Sequence, residues 1–320
     1  MSRTEAIGVD LGGTKMLLGV LDSGSEAAWE SREGSAGESE SELVELLLRE
    51  IEQARAARVG VEVVGLGIPA RIDHGKGIAI SAVNLPLEGL PLRDIVAERT
   101  GLPVFVDNDA NVAALAEQLY GAARGARNAV LLTIGTGIGG GLVLDGEIYR
   151  GTIGAGAELG HISIEMDGPP CQGSCPGRGC LETFASGTAI GREGRAAAER
   201  ESGSALGKLL AAGEEVDGRA VTVAARAGDE AAVGVFEQVG RRLGVELANH
   251  ANIIEPEVIV IGGGAIAAGD LLLEPARAEL RSRALSPMNG TPVVPAQLGE
   301  DAGMIGAAAM ARIELERAAG

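Results

Sequence analysis

Residues 7–22 read IGVDLGGTKMLLGVLD. Ala6–Asp10 has the look of a buried strand, Leu11-Gly12-Gly13-Thr14-Lys15 of a glycine turn, and Lys15–Leu21 of the strand that returns. Such a turn can bring backbone N–H groups against a phosphate, with the Thr14 hydroxyl as a further donor. Asp10, at the strand's end, could hold Mg²⁺ directly or through water. An ordinary hairpin fits the same residues, so the stretch needs a second witness. Residues 131–145, LLTIGTGIGGGLVLD, supply one: the strand Ala129–Ile134, a turn with Gly135, Thr136 and Gly137, then a returning strand at Leu142–Leu144. Two such turns in separate halves of one chain predict two lobes clasping one polyphosphate.

The segments between and beyond these turns alternate strand and helix. Ser23–Gly37 is polar and turn-rich. Ser39 with Glu42 offers a capping box for a helix whose leucines run from Leu43 to Ile51. Val61–Ile68 is a second buried strand ending in Gly67-Ile68-Pro69. Ile78–Val83 is a short strand, Asn84-Leu85-Pro86 opens a loop, and Leu92–Arg99 is a helix. The strand Val104–Val106 runs into Asp107-Asn108-Asp109-Ala110-Asn111, and a helix follows from about Ala110 to Tyr120. In open α/β sheets ligands bind beyond the carboxyl ends of the strands, where helix N-termini also point. One helix cap needs one Asx residue; four in five positions point to a site at Asn108 and Asp109.

Downstream, 187–198, 221–227 and 229–252 read as helices, with a loop and short helix in 202–217. The strand Val258–Ile261 leads into Gly262-Gly263-Gly264, where backbone could lie flat against a base or ribose. Leu271–Leu285 is a helix, Val293–Ala296 a strand, and Asp301–Arg317 a terminal helix expected to pack back on the first lobe. His74, in a polar turn, and His250, inside a helix, carry no partner signal.

All three cysteines lie in RGTIGAGAELGHISIEMDGPPCQGSCPGRGCLETFAS, residues 150–186, as Cys171, Cys175 and Cys180. His161 precedes them, and Glu158 and Glu182 flank the cluster. Glycine and proline make this a shaped loop. One imidazole and three thiolates suit a tetrahedral structural zinc ion, which can contribute on the order of 10 kcal/mol of folding free energy. Inert thiols, or a disulfide with a spare thiol, are the other readings; three cysteines within ten residues of loop weigh against inert thiols. A filled zinc site leaves both carboxylates for a ligand.

The chain has 320 residues, 46% of them apolar, enough for two domains with cores. A formal net charge of −18 argues against nucleic acid and anionic membrane as main partners. No 18-residue apolar run suggests a membrane span. The first strand begins by Ala6 with no charged-then-apolar leader, and the few cysteines fit a reducing cytoplasm.

With these segments in place the chain resembles the ROK family, bacterial sugar kinases and related repressors of the hexokinase–Hsp70–actin fold class. The resemblance runs from IGVDLGGTK to DAGMIGAA. Its most specific parts are VDNDANVAALAE, LLTIGTGIGGG, GAGAELGH and GCLETFAS, with VIVIGGG on the nucleotide side. It implies a two-lobed, actin-like α/β fold with a ligand cleft between lobes. The small lobe would be residues 1–112 joined by 301–320, and the large lobe 113–300 with the zinc loop; the second strand–turn–strand unit puts the change near 111–125.

The resemblance further implies a cytoplasmic ATP-dependent hexose kinase acting on the 6-hydroxyl, glucose foremost, working as a homodimer or homotetramer. Asp109 would be the general base and Asn108 would hold a neighbouring hydroxyl. Glu158, His161 and Glu182 would bind further hydroxyls, His161 using one nitrogen for zinc and the other for sugar. Gly67 and Asn84 would line the pocket. Asp10 would serve Mg²⁺, Gly12, Gly13, Thr14, Lys15, Thr136 and Gly137 the ATP phosphates, and Gly262 and Gly263 the adenosine. His161, Cys171, Cys175 and Cys180 would hold Zn²⁺.

Two features depart from the family pattern. The usual C-x-C-x4-C is here Cys171-x3-Cys175-x4-Cys180, and Ala70 and Leu87 replace a glycine and an aromatic expected at the pocket rim. Three alternatives stay open: a kinase for N-acetylglucosamine, mannose or fructose; polyphosphate as donor; or a non-catalytic sugar-responsive regulator. The regulator would need an N-terminal DNA-binding domain, for which the stretch before Ile7 leaves no room.

Overall fold

The structure is a computed structural model that describes residues 4–35, 39–82 and 85–320. It divides into two compact units: residues 1–125, 141–157 and 297–320 form the first, and 126–140 with 158–296 the second. The change of unit was read from sequence near 111–125, with lobe bounds at 112 and 113; by contacts it comes after Gly125, and residues 141–157 join the first unit.

In the first unit β1 (Glu5–Leu11), β2 (Lys15–Leu21) and β3 (Ala27–Gly34) form an antiparallel meander. α1 (Glu40–Ala57) starts at Ser39 with the expected capping box: the Ser39 side chain accepts from Glu42 N while the Glu42 carboxylate accepts from Ser39 N. β4 (Val61–Ile68) then pairs parallel to β1. A small antiparallel sheet follows from β5 (Ala70–Asp73), β6 (Ile78–Ala82) and β7 (Glu88–Leu90). After α2 (Leu92–Thr100), β8 (Val104–Asn108) pairs parallel to β4 and runs directly into α3 (Asp109–Tyr120). The main sheet order is β3-β2-β1-β4-β8.

The second sheet has β9 (Ala129–Ile134), β10 (Ile138–Leu144), β11 (Glu147–Ile148), β12 (Val258–Gly262) and β13 (Val293–Pro295). Its order is β11-β10-β9-β12-β13, so β12 is parallel to both β9 and β13. The two sheets thus repeat one plan, in which a strand–turn–strand unit is extended by two parallel strands. Helices α4 (Glu182–Ala185), α5 (Gly187–Arg200), α6 (Ala205–Ala211), α7 (Gly218–Arg226), α8 (Glu230–Ile254) and α9 (Asp270–Arg283) belong to the second unit. α8 packs along α9 closely enough that a methyl on Gly244 would meet Ala276 O at 2.4 Å.

The terminal helix α10 (Ala302–Ala319) belongs to the first unit, and Ala302–Arg312 is buried almost throughout. It lies on bare strand backbone. A Cβ on Gly8 of β1 would stand 2.0 Å from Met304 O, and one on Gly65 of β4 1.9 Å from Ala307 O. Small residues, where other cores use aromatics, set this close approach.

Several elements differ from expectation. Ala27–Gly34 was expected as turn and is strand β3; its polar alternation is that of an edge strand, with only Trp29 packed on the core. The short β5, β7 and β11 and the four-residue α4 carry too few residues for a period to register.

Candidate active site

In the first unit the site grows from the carboxyl ends of β1, β4 and β8. Register places Asp10 beside Gly67 and Gly67 beside Asp107. Asn108 caps α3, its side-chain oxygen accepting from Ala110 N (2.9 Å) and Asn111 N (3.2 Å). Its amide donates to Ala70 O at 3.2 Å. An amide has two N–H groups, so one remains for a ligand. Asp109 is the first residue of α3, and its Oδ1 accepts from Ala110 N at 2.9 Å. Gly67 is needed here because a methyl would stand 2.6 Å from Val112 Cγ2 and 3.7 Å from Asp109 Cα.

Burial first, and the nearby Asp109 charge second, push the Asp10 carboxyl up to about 7 against the downward pull of Lys15. Two carboxylates close enough to repel suit a cation. A Cβ on Gly303 of α10 would stand 2.5 Å from Asp10 Oδ2, so glycine makes room for this group. In the turn, Gly12 N donates to Lys15 O at 2.8 Å and Ser35 Oγ donates to Gly12 O at 2.6 Å. The turn is thereby braced from within, with Gly13, Thr14 and Lys15 exposed. Lys15 Nζ sits on Glu300 at 2.8 Å.

In the second unit Glu158, His161, Glu182 and the three cysteines are brought together by one loop. His161 Nδ1 faces Cys171 Sγ at 3.4 Å and its Nε2 faces Glu158 Oε2 at 4.0 Å. The ligand atoms of His161, Cys171, Cys175 and Cys180 all lie within 4.8 Å of one another, so the longer Cys171–Cys175 spacing still closes the cluster. Burial and the neighbouring thiols push Cys171 up to about 12. Such a cluster becomes thiolate only around a cation. Gly177 N donates to Cys175 Sγ at 3.4 Å, and a Cβ there would crowd Cys180 Sγ at 3.0 Å. The donor set and its close packing fit a tetrahedral zinc ion.

Glu182 lies two residues after Cys180, and its Oε2 accepts from Ile138 N at 2.8 Å. A Cβ on Gly137 would stand 2.4 Å from the same oxygen, so glycine leaves this carboxylate its place. Gly187 N donates to Gly135 O (2.7 Å) and Thr188 Oγ1 to Thr136 O (2.8 Å), so the start of α5 braces the second glycine turn. Gly262 pairs with Thr133 at the ends of β12 and β9, and Gly263, at φ +82°, packs against Ile134 backbone.

The remaining expected residues fall as follows. Asn84 lies outside the described residues. Leu87 is 2% exposed in the hydrophobic core and Ala70 holds Asn108 through its carbonyl. Sequence reasoning missed Arg150, whose Nε donates to Asp107 Oδ2 at 2.6 Å, and gave His74 no partner although its Nδ1 meets Val106 O at 2.9 Å. It also missed Glu117, a buried carboxylate accepting from Ala122 N, Gln297 N and Leu298 N.

Two sheets of one strand order, each with a glycine turn braced at its strand ends, define the actin-like ATPase class of fold. The chain belongs to the ROK family, whose family model matches residues 6–314. Glucokinase of Thermotoga maritima is 38% identical over 97% of this chain and 98% of its own. Glucokinase of Streptomyces coelicolor is 38% identical over 96% and 97%. A ROK family glucokinase from Streptomyces griseus, solved in complex with glucose and AMPPNP, superposes with a TM-score of 0.85 at 34% identity, covering 97% of this chain and 99% of that one. Among the described residues no helix is long and apolar enough to cross a membrane.

Proposed function

We propose that this chain is an ATP-dependent hexose kinase that converts glucose to glucose 6-phosphate. The observation that carries the reading is the placement of Asp109: a carboxylate at the first turn of α3, beside a half-satisfied Asn108 amide and within the field of Asp10. The full-length likeness to glucokinases supports the choice of sugar.

In this reading Asp109 accepts the proton of the 6-hydroxyl as that oxygen attacks the γ-phosphoryl group, the bond from the γ-phosphorus to the β–γ bridging oxygen breaks, and ADP leaves. Phosphoryl transfer needs alignment and charge neutralisation more than covalent help, so a well-placed aspartate suffices. The second N–H of Asn108 bonds a neighbouring hydroxyl. Glu158, His161 Nε2 and Glu182 bond the others, and Gly67 and Asn84 line the pocket. A site built to bond hydroxyls rejects sugars that lack them. The glycine turns at Gly12–Lys15 and Thr136–Gly137 receive the phosphates, and Gly262 and Gly263 the adenosine. Mg²⁺, served from Asp10, supplies positive charge to the polyphosphate. His161, Cys171, Cys175 and Cys180 would hold Zn²⁺, which would supply rigidity to the loop that carries His161 and leads through Cys180 to Glu182. The reading extends to a cytoplasmic homodimer or homotetramer with no nucleic-acid or membrane partner.

A coupled ADP-release assay tests it, with ATP–Mg²⁺ or polyphosphate as donor and glucose, mannose, fructose, N-acetylglucosamine and N-acetylmannosamine as acceptors. Glucose should dominate, and Asp109→Ala should lose turnover by roughly 10²–10⁴-fold while still binding sugar. Undiminished turnover in that variant would sink the role of Asp109; preference for another sugar would sink the choice of glucose.

A further inference from the structure

Behind Asn108 and Asp109 lies an ionic knot, centred on a buried carboxylate, that the chemistry above does not use. Asp107 is 1% exposed. Its Oδ1 accepts from Asn108 N (2.8 Å) and Asn111 Nδ2 (2.9 Å), and its Oδ2 from Arg150 Nε (2.6 Å). His74 Nδ1 stands 3.8 Å from Oδ2, while His74 Nε2 and Arg150 Nη2 stand 4.0 and 3.9 Å from Glu314 Oε1 on α10. The segment that carries Arg150 is pinned a second time, where His74 N donates to Ile153 O at 2.8 Å. Gly154, at φ +115°, packs there so closely that a Cβ would stand 2.5 Å from Ile72 O.

This is more than a helix cap needs, since Asn108 already caps α3. Each bond to Asp107 fixes something near the reacting group. The Asn108 N bond sets the peptide between the two ligand-facing residues. The Asn111 bond sets the first turn of α3, on which Asp109 rides. Arg150 fixes the carboxylate itself, because its planar Nε–H offers one direction of approach. A charge this buried stays in place only when paired and hydrogen-bonded.

We propose that Asp107 and Arg150 are positioning residues for the kinase reaction, holding Asp109, through the peptide and the helix turn that carry it, at the angle that phosphoryl transfer requires. Neither touches the sugar; both act through the start of α3. The proposal rests on the kinase reading, and misplacement of a reacting group by about 1 Å is enough to cost a hundredfold in rate.

The test compares Arg150→Met, Arg150→Lys, Asp107→Asn and the double variant Asp107→Asn/Arg150→Met with the parent enzyme. Turnover, glucose affinity by calorimetry and melting temperature are measured for each. In Arg150→Met and Asp107→Asn, kcat should fall about 10- to 100-fold while glucose affinity stays within about threefold. Arg150→Lys should recover part of the loss, and the double variant should be no slower than the slower single, as members of one network behave. The proposal is overturned if both singles keep kcat within about twofold of the parent, or if the losses multiply in the double variant. Should Asp107→Asn fail to fold, the two Arg150 variants decide: kcat loss at unchanged glucose affinity, partly restored by lysine, supports positioning. Equal loss in both, tracking the melting temperature, refutes it. A parent protein that phosphorylates no hexose overturns the kinase reading itself, before any variant is compared.

Discussion

His161 Nδ1 stands 3.4 Å from Cys171 Sγ, so the ring whose Nε2 we propose meets the sugar is anchored through its other nitrogen. The loop that carries the cysteine cluster also leads straight into Glu182 through Cys180. Loss of the metal should therefore weaken sugar binding as well as stability. Chelation, or Cys175→Ser, is expected to raise the glucose KM by at least about tenfold and lower the melting temperature by about 5 °C or more. Metal content measured alongside KM and melting checks this; a metal-free protein with the parent's KM would refute it.

Glu182 is expected to matter even where no sugar is bound, because its carboxylate holds Ile138 N at 2.8 Å. A hydrogen bond to a charged group contributes about 1.5–3 kcal/mol. Glu182→Gln should lose roughly that stability in urea melts, and its affinity for both glucose and ATP should fall. Loss of sugar affinity alone would show that the bond does not hold the second glycine turn.

Gly303→Ala separates packing from propensity. Alanine is the better helix former by about 1 kcal/mol, yet its methyl would stand 2.5 Å from Asp10 Oδ2. The expected outcome is a melting temperature close to the parent's with the KM for ATP–Mg²⁺ raised severalfold. A variant with unchanged ATP kinetics would remove Asp10 from the nucleotide side.

Glu246 and His250, one turn apart on α8 and both buried, give a pH signature. Burial pushes Glu246 from its ordinary 4.5 up to about 7, and pushes His250 from 6.5 down to about 4. The Glu246 contribution is full below 4.5 and is lost as pH rises to about 7. The His250 contribution is full above 6.5 and is lost as pH falls to about 4. Between 4.5 and 6.5 the two slopes oppose each other and largely cancel. Removing one partner should expose the other. In His250→Gln stability should fall with rising pH, and in Glu246→Gln it should rise, each by up to about 1.4 kcal/mol per pH unit. Denaturant melts at pH 5 and 6.5 decide; slopes of the same sign in both variants would exclude opposed titration.

The repeated strand–turn–strand plan was legible because a buried strand writes itself as an apolar run. β2, β4 and β9 fall on the residues expected for them. The cysteine cluster was legible because metal-ligand chemistry names its own residues. What sequence did not show were partnerships made across long separations. Arg150 and Asp107 are 43 positions apart, and neither type, in its local context, announces the other. β3 was missed because an edge strand lacks the apolar run, and Glu117 because a carboxylate that collects backbone N–H groups looks in sequence like any surface glutamate on a helix.

The seating of α10 on Gly8 and Gly65 bears on how the protein is made. The ribosome delivers β1 and β4 early, yet residues 297–320, which complete the first unit, follow every residue of the second. The second unit can therefore mature while the first still waits with its glycine-floored sheet uncovered. In a nascent chain that uncovered sheet is the vulnerable surface, and α10, emerging after the second unit, closes it.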